Sequence, residues 1–200
     1  VGVPVYETFS AEQISWILAD SGAVAVLAET AEHLERVDAA RSQATGLQHV
    51  WGIDDGAIAT LEALGAEVSD ADLEARRTAA TPADLATLIY TSGTTGRPKG
   101  CELTHGNFMF ELGVAVDELD ELFAEGASTL LFLPLAHVFA RIIQVGAIKT
   151  RARMGHSADI KNLVRDFGVF KPTFILAVPR VFEKVYNTAS QNAAADGKGR

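Results

Sequence analysis

Short apolar runs alternate along this chain with stretches of helical spacing, and that alternation limits the fold more than any other feature. "AVAVLA" from Ala23, "LATLIY" from Leu85, "STLLFLP" from Ser128 and "TFILAVP" from Thr173 are too short for buried helices and read as strands. Two further strands are expected at Gly2 to Tyr6 and at His49 to Ile53. Helices are expected between them. Ser10 opens one as a capping box with Gln13; Ile14, Ile17 and Leu18 form its apolar stripe and Gly22 ends it. Others are expected from about Ala31 to Arg41, from Ser69 to Arg77, and as a helical turn from Thr81 to Asp84. A long helix capped by Thr104 carries Phe108, Leu112, Val116, Leu119 and Phe123 on one face. The pattern ends with helices from about Leu135 to Lys149, Ala158 to Phe167 and Arg180 to Ala194. Strands that alternate with helices predict a layered α/β fold, with largely parallel sheets and flanking helices.

Length and charge narrow the function. With 200 residues, 48% of them hydrophobic, the chain can bury one sizeable core or two small ones. It starts at Val1 without a basic leader and stops directly after a helical pattern, so it is expected to be part of a longer protein. No apolar run is long enough to span a bilayer. One cysteine, Cys101, excludes an intrachain disulfide and fits a reducing cytoplasm; a structural thiol is expected there. A net charge of -9 argues against nucleic acid as a partner. The charge is uneven: residues 1 to 140 hold 6 Lys+Arg against 22 Asp+Glu, whereas residues 141 to 200 hold 11 against 4. That basic block is either a solvated face or a surface turned toward nucleotide, CoA or lipid headgroups, which leaves peripheral membrane contact open.

The chemistry is concentrated in "YTSGTTGRPKG", Tyr90 to Gly100, directly after the strand "LATLIY". Open parallel sheets bind ligands beyond the carboxyl ends of their strands, which is where this loop lies. Gly93, Gly96 and Gly100 allow close backbone approach, so that successive N–H groups can converge on an anion. Thr91, Ser92, Thr94 and Thr95 add hydroxyl donors, and Lys99, stiffened by Pro98, adds a full charge. Phosphate is the ligand such an assembly suits. A Walker P-loop is excluded, since two residues rather than four separate Gly93 from Gly96 and Lys99 is followed by Gly100.

"YTSGTTGRPKG" followed by "LTHGN" resembles the signature loop of the adenylate-forming (AMP-binding) superfamily of acyl-CoA synthetases, peptide-synthetase adenylation domains and luciferases. "VPVYETFSAEQISWILADSGA", "LPLAHVFAR" and "AVPRVFEKVYN" resemble its long-chain fatty-acyl-CoA synthetase branch. The resemblance covers essentially the whole chain. It implies that residues 1 to 200 are an incomplete portion of the large N-terminal domain, with the C-terminal domain absent. It also implies a two-step reaction using ATP, Mg2+ and CoA, in which a fatty carboxylate attacks the α-phosphorus to release pyrophosphate and the CoA thiol then displaces AMP.

On that resemblance Thr91, Ser92, Gly93, Thr94, Thr95, Gly96, Lys99 and Gly100 would hold the ATP phosphates, with Lys99 catalytic, while His137 and Arg141 would position substrate. Spacing alone makes His137 a core or capping histidine and Arg141 an exposed helical arginine. Arg180, at a strand-to-helix corner, is open to an anion or to a structural salt bridge. His33, His49, His105, His156 and the Asp54–Asp55 pair show no ligand spacing, so no metal ligand is assigned. Residues that the family uses for ribose, Mg2+ and the closing lysine come later than these 200 positions, so the isolated stretch is expected to be inactive. An aryl-acid or amino-acid adenylating enzyme and a non-catalytic phosphate-binding remnant stay open as alternatives. Oligomeric state is not readable.

Overall fold

The computed structural model describes residues 1–91, 97–119, 122, 124 and 126–195. The chain forms two compact units, Val1–Met109 and Phe110–Arg200.

In the first unit, helix α1 (Ala11–Asp20) starts as its sequence dictates. The Ser10 hydroxyl accepts from the Gln13 N–H and the Gln13 side chain accepts from the Ser10 N–H, which satisfies two of the helix's orphan donors. Gly22, at φ 64°, lets the chain leave by the left-handed turn that glycine tolerates best. Strand β1 (Ala25–Ala28), helix α2 (Ala31–Ala40) and strand β2 (His49–Gly52) then make a βαβ unit, with Ala25 opposite His49 and Ala28 opposite Gly52 in parallel register. Ile14 and Leu18 of α1 close over Val37, Ala40, Ala44 and Leu47 to form its core, with Phe9, Val26 and Val50 at the margin. Each large aliphatic chain fully buried here contributes roughly 1.5–3 kcal/mol. "AVAVLA" is only partly buried, since Val24 and Leu27 are exposed.

Helices α3 (Ala57–Gly65) and α4 (Asp70–Thr78) follow. Strand β3 (Leu85–Thr91) is next, and it pairs antiparallel with β4 (Lys99–Thr104). The β3–β4 pair corrects the sequence reading, which has no strand after the loop. "KGCELT" lacks an apolar run and has no buried residue, and it becomes a strand only because β3 offers it a ladder. The Thr81–Asp84 helical turn is instead a side-chain-locked turn. Thr81 donates its N–H and hydroxyl to one Asp84 carboxylate oxygen, at 2.6 and 2.8 Å, and Thr81 O accepts from the Asp84 N–H. The expected strand at Gly2 to Tyr6 shrinks to one bridge between Gly2 and Thr87, because Pro4 has no N–H with which to extend a ladder. Thr104 caps helix α5 (His105–Glu118) as expected, with the Asn107 side chain returning the bond, and Phe108 and Leu112 are buried. Of the remaining stripe, Phe123 lies outside the described residues.

In the second unit, β5 (Ser128–Leu131) is buried along its whole length and pairs in parallel with β6 (Arg153–His156) across helix α6 (Val138–Thr150). "RMGH" has no apolar pattern, so β6 was not legible. Helix α6 begins three residues later than expected, because His137 N–H closes a turn onto Pro134 O first. Helix α7 (Leu163–Phe170) also starts late. Asp159 takes the Lys161 N–H on its carboxylate and the Asn162 N–H on its carbonyl, which winds a separate turn. "TFILAVP" builds no ladder among the described residues. The Thr173 hydroxyl, rather than a strand carbonyl, receives the Ser128 N–H at 2.8 Å, so side-chain bonding displaces the ladder at its first rung. Leu176 and Ala177 nonetheless pack into the two cores on either side of β5. Helix α8 (Pro179–Ala195) opens on its proline, one residue before the expected start. The fold is therefore the expected α/β arrangement, with two parallel strand pairs and one antiparallel hairpin among the described residues.

Candidate functional site at the β3–β4 hairpin

The β3–β4 ladder sets the mouth of the glycine-rich loop. Thr91 stands opposite Lys99, and Tyr90 opposite Gly100, at its last two rungs. Ser92, Gly93, Thr94, Thr95 and Gly96 lie outside the described residues. Thr91 and Lys99 are both exposed, and the Lys99 ammonium has no hydrogen-bond or ion-pair partner among the described residues. An unengaged cation facing a threonine across a hairpin mouth fits a phosphate ligand.

Gly100 is small for a visible reason. A Cβ there would lie 3.1 Å from Tyr90 Cζ and 3.2 Å from its Oη, so the Tyr90 ring covers this position. The phenol of Tyr90 donates to Asp20 Oδ2 at 2.7 Å. Burial, and then the hydrogen bond to Asp20 and its negative charge, push the phenol well above its ordinary value. On the other stem, the indole N–H of Trp16 donates to Pro98 O at 2.9 Å. The Arg97 guanidinium lies 4.6 Å from the centroid of the same indole, within cation–π range.

His137 and Arg141 belong to the second unit. His137 is exposed at the N-cap of α6, and its carbonyl accepts from the Arg141 N–H at 3.3 Å, so the two sit one turn apart. Arg141 is half-buried, donates from Nη1 to Gln144 Oε1 at 3.1 Å, and keeps a buried Nε without a partner among the described residues. Burial holds its pKa below the usual arginine range. A half-buried guanidinium with one unsatisfied donor suits an anion better than the exposed fate that helix spacing suggested.

Cys101 is exposed on β4 opposite Ile89, which places it outside any core. Arg180 is exposed at the first turn of α8, near Glu183 and Asn187 in a shallow groove. Among the described residues no group of three His, Cys, Asp or Glu side chains could hold a metal, and no helix is long and apolar enough to cross a membrane. Sequence reasoning missed Trp16 and Asp20. Their partners lie 82 and 70 positions away, and one polar and one aromatic residue on a helix carry no local sign of such a partner.

Over its full length the chain is 50% identical to the long-chain-fatty-acid–CoA ligase FadD15 of Mycobacterium bovis, covering 34% of that protein. It is 30% identical to long-chain-fatty-acid–CoA ligase 5 of Rattus norvegicus, over 96% of this chain and 31% of that one. The chain thus spans about a third of the length of these curated relatives. Its fold matches the crystal structure of the N-terminal domain of FACL13 from Mycobacterium tuberculosis with a TM-score of 0.74, at 23% identity, over 92% of this chain and 44% of that one. The family model described as "AMP-binding enzyme" matches residues 1–199, and the chain therefore belongs to the AMP-binding enzyme family.

Proposed function

We propose that the protein carrying this chain is a long-chain-fatty-acid–CoA ligase, and that the β3–β4 hairpin holds the β and γ phosphates of ATP during adenylation. The observation that carries the reading is 50% identity to FadD15 over the full length of the chain, with the glycine-rich loop set between Thr91 and Lys99. On this reading residues 1 to 200 are a portion of the N-terminal domain of a longer enzyme whose other substrates are a fatty acid and CoA.

In the first step a carboxylate oxygen bonds to the α-phosphorus, the bond from that phosphorus to the bridging oxygen breaks, and pyrophosphate leaves. Negative charge grows on the departing phosphates. The Lys99 ammonium, the Thr91 hydroxyl and the backbone donors of the loop hold the phosphates of bound ATP and stabilise the charge that grows as pyrophosphate leaves. In the second step the CoA sulfur attacks the acyl carbon and AMP departs. His137 and Arg141 position the acyl-adenylate, Arg141 through its guanidinium, whose Nε has no partner among the described residues. Mg2+ would accompany ATP and offset phosphate charge; no group of three His, Cys, Asp or Glu side chains among the described residues would hold it. The cytoplasm is the proposed compartment.

The test is fatty-acid-dependent exchange of pyrophosphate into ATP by the full-length protein, with palmitate as substrate. Lys99→Ala is expected to slow exchange by on the order of 100-fold, as for loss of one oriented donor to a developing anion. Wild-type exchange in Lys99→Ala would remove Lys99 from the reaction. Exchange supported by an aryl or amino acid but not by palmitate would overturn the substrate assignment.

A further inference from the structure

We propose that Trp16 and Asp20 of α1 are positioning residues for Lys99: they hold both stems of the hairpin, so that the ammonium meets the ATP phosphates at a fixed place opposite Thr91. The proposal rests on the phosphate-binding reading above. Trp16 and Asp20 are four apart on α1 and share one face, while Ile14, Ile17 and Leu18 bury the other. The helix is thus anchored by its core face and turns two polar groups toward the hairpin. Asp20 receives the phenol of Tyr90, the residue before Thr91. Trp16 donates to the carbonyl of Pro98, the residue before Lys99.

The placement of these bonds distinguishes positioning from simple packing. The Asp20 bond meets the ladder at Tyr90, one rung from its open end, and the Trp16 bond meets Pro98 just beyond the last rung, both beside the loop and not at the far end where Leu85 faces Thr104. They are also directional, consisting of one short O–H···O bond, one N–H···O bond and one cation–π contact, whereas a helix that only needed to cover a sheet would use apolar side chains. Trp16 further separates two cations. Arg97 and Lys99 are two residues apart, and the indole engages Arg97, while Lys99 keeps no partner among the described residues. Trp16 thereby leaves Lys99 as the cation available to phosphate.

The full-length enzyme tests this through steady-state kinetics of Trp16→Phe, Asp20→Ala and Asp20→Asn, with MgATP and palmitate varied separately. Trp16→Phe keeps the ring and loses the donor; Asp20→Asn keeps an oxygen that can accept from Tyr90. For Trp16→Phe and Asp20→Ala, KM for MgATP is expected to rise roughly fivefold, as for one lost hydrogen bond. KM for palmitate should stay unchanged, and Asp20→Asn should behave as wild type. A purely structural role would lower the active fraction and leave KM for MgATP where it was. That outcome, an Asp20→Asn variant as impaired as Asp20→Ala, or a parallel rise in both KM values would overturn the proposal. Asp20 is exposed, so its variants decide the matter even if Trp16→Phe does not fold. Lys99→Ala separates the two levels of inference. If it slows exchange while the α1 variants keep wild-type KM for MgATP, the positioning role alone fails; if it has no effect, the phosphate-binding reading itself fails.

Discussion

Adding a single methyl group at Gly100 tests how rigidly the hairpin mouth is set. The new Cβ would stand 3.1, 3.2 and 3.4 Å from Cζ, Oη and Cε1 of Tyr90, tighter than an ordinary carbon contact, so ring or strand must shift by a few tenths of an ångström. The ring has little freedom to do so. Tyr90 is 4% exposed and its hydroxyl is tethered to Asp20 at 2.7 Å. Overpacking of this kind costs roughly 1–3 kcal/mol, and the lower chain entropy of unfolded alanine returns about 0.4–1 kcal/mol, leaving a net loss of about 1–2 kcal/mol. Tyr90→Phe removes both the Oη contact and the tether, so in that background the ring can tilt and Gly100→Ala should cost about 1 kcal/mol less, within the usual range for contacting pairs. Urea unfolding of wild type, both single variants and the double variant completes the cycle, read from midpoints at unchanged slope. Equal costs of Gly100→Ala in the two backgrounds would refute the argument that the tethered ring is what excludes a side chain here.

Tyr90 also predicts an alkaline limb. Its folded pKa is raised above the unfolded value near 10, so its contribution is complete below about pH 10; above that the unfolded chain ionises first and stability falls as pH rises. Tyr90→Phe should make the stability curve above pH 10 shallower than wild type, with a residual slope from Tyr6, whose phenol burial also raises; an unchanged slope would contradict the tether. In the second unit, Arg151 and Lys171 close α6 and α7 with φ of 58° and 51°, a conformation that costs a non-glycine residue roughly 1–2 kcal/mol. Arg151→Gly and Lys171→Gly are each expected to raise the urea midpoint, by about 0.5–1 kcal/mol in stability once glycine's own entropy cost is included. A lowered midpoint in both would refute the strain argument.

What could be read from the sequence follows the range of the interaction responsible. Caps and turns are local, so Ser10 with Gln13, Gly22, Thr104 and Pro179 all stand where their residue types put them. The strands β3 and β5 were legible because apolar side chains, Ile89 and Tyr90 in one and Leu130 and Leu131 in the other, are buried whatever they pair with. β4 and β6 were not, because "KGCELT" and "RMGH" owe their strand state to a partner rather than to composition. "TFILAVP" shows the converse: strand-like residues need a free edge, and a threonine hydroxyl had already bonded to the one available. At the site, the loop's glycines, hydroxyls and Lys99 were readable as phosphate chemistry because that chemistry lies within eleven consecutive residues, Tyr90 to Gly100. Trp16 and Asp20 were unreadable because nothing near them in sequence needs an indole donor or a carboxylate.

The same bonds bear on the order in which the molecule assembles. The β3–β4 hairpin joins residues only a few positions apart at its mouth, where Thr91 meets Lys99, and such local pairs close quickly. The bonds that fix it to α1 close segments of 70 and 82 residues, and the bridge from Gly2 to Thr87 spans 85. Loop entropy must be overcome before those contacts can repay it. On the ribosome α1 emerges long before its partners, and the indole of Trp16 and the carboxylate of Asp20 wait in water until Pro98 and Tyr90 have been made. The hairpin mouth therefore reaches its final geometry only once most of the first unit has been synthesised, so within that unit the part with the most chemistry is among the last to settle.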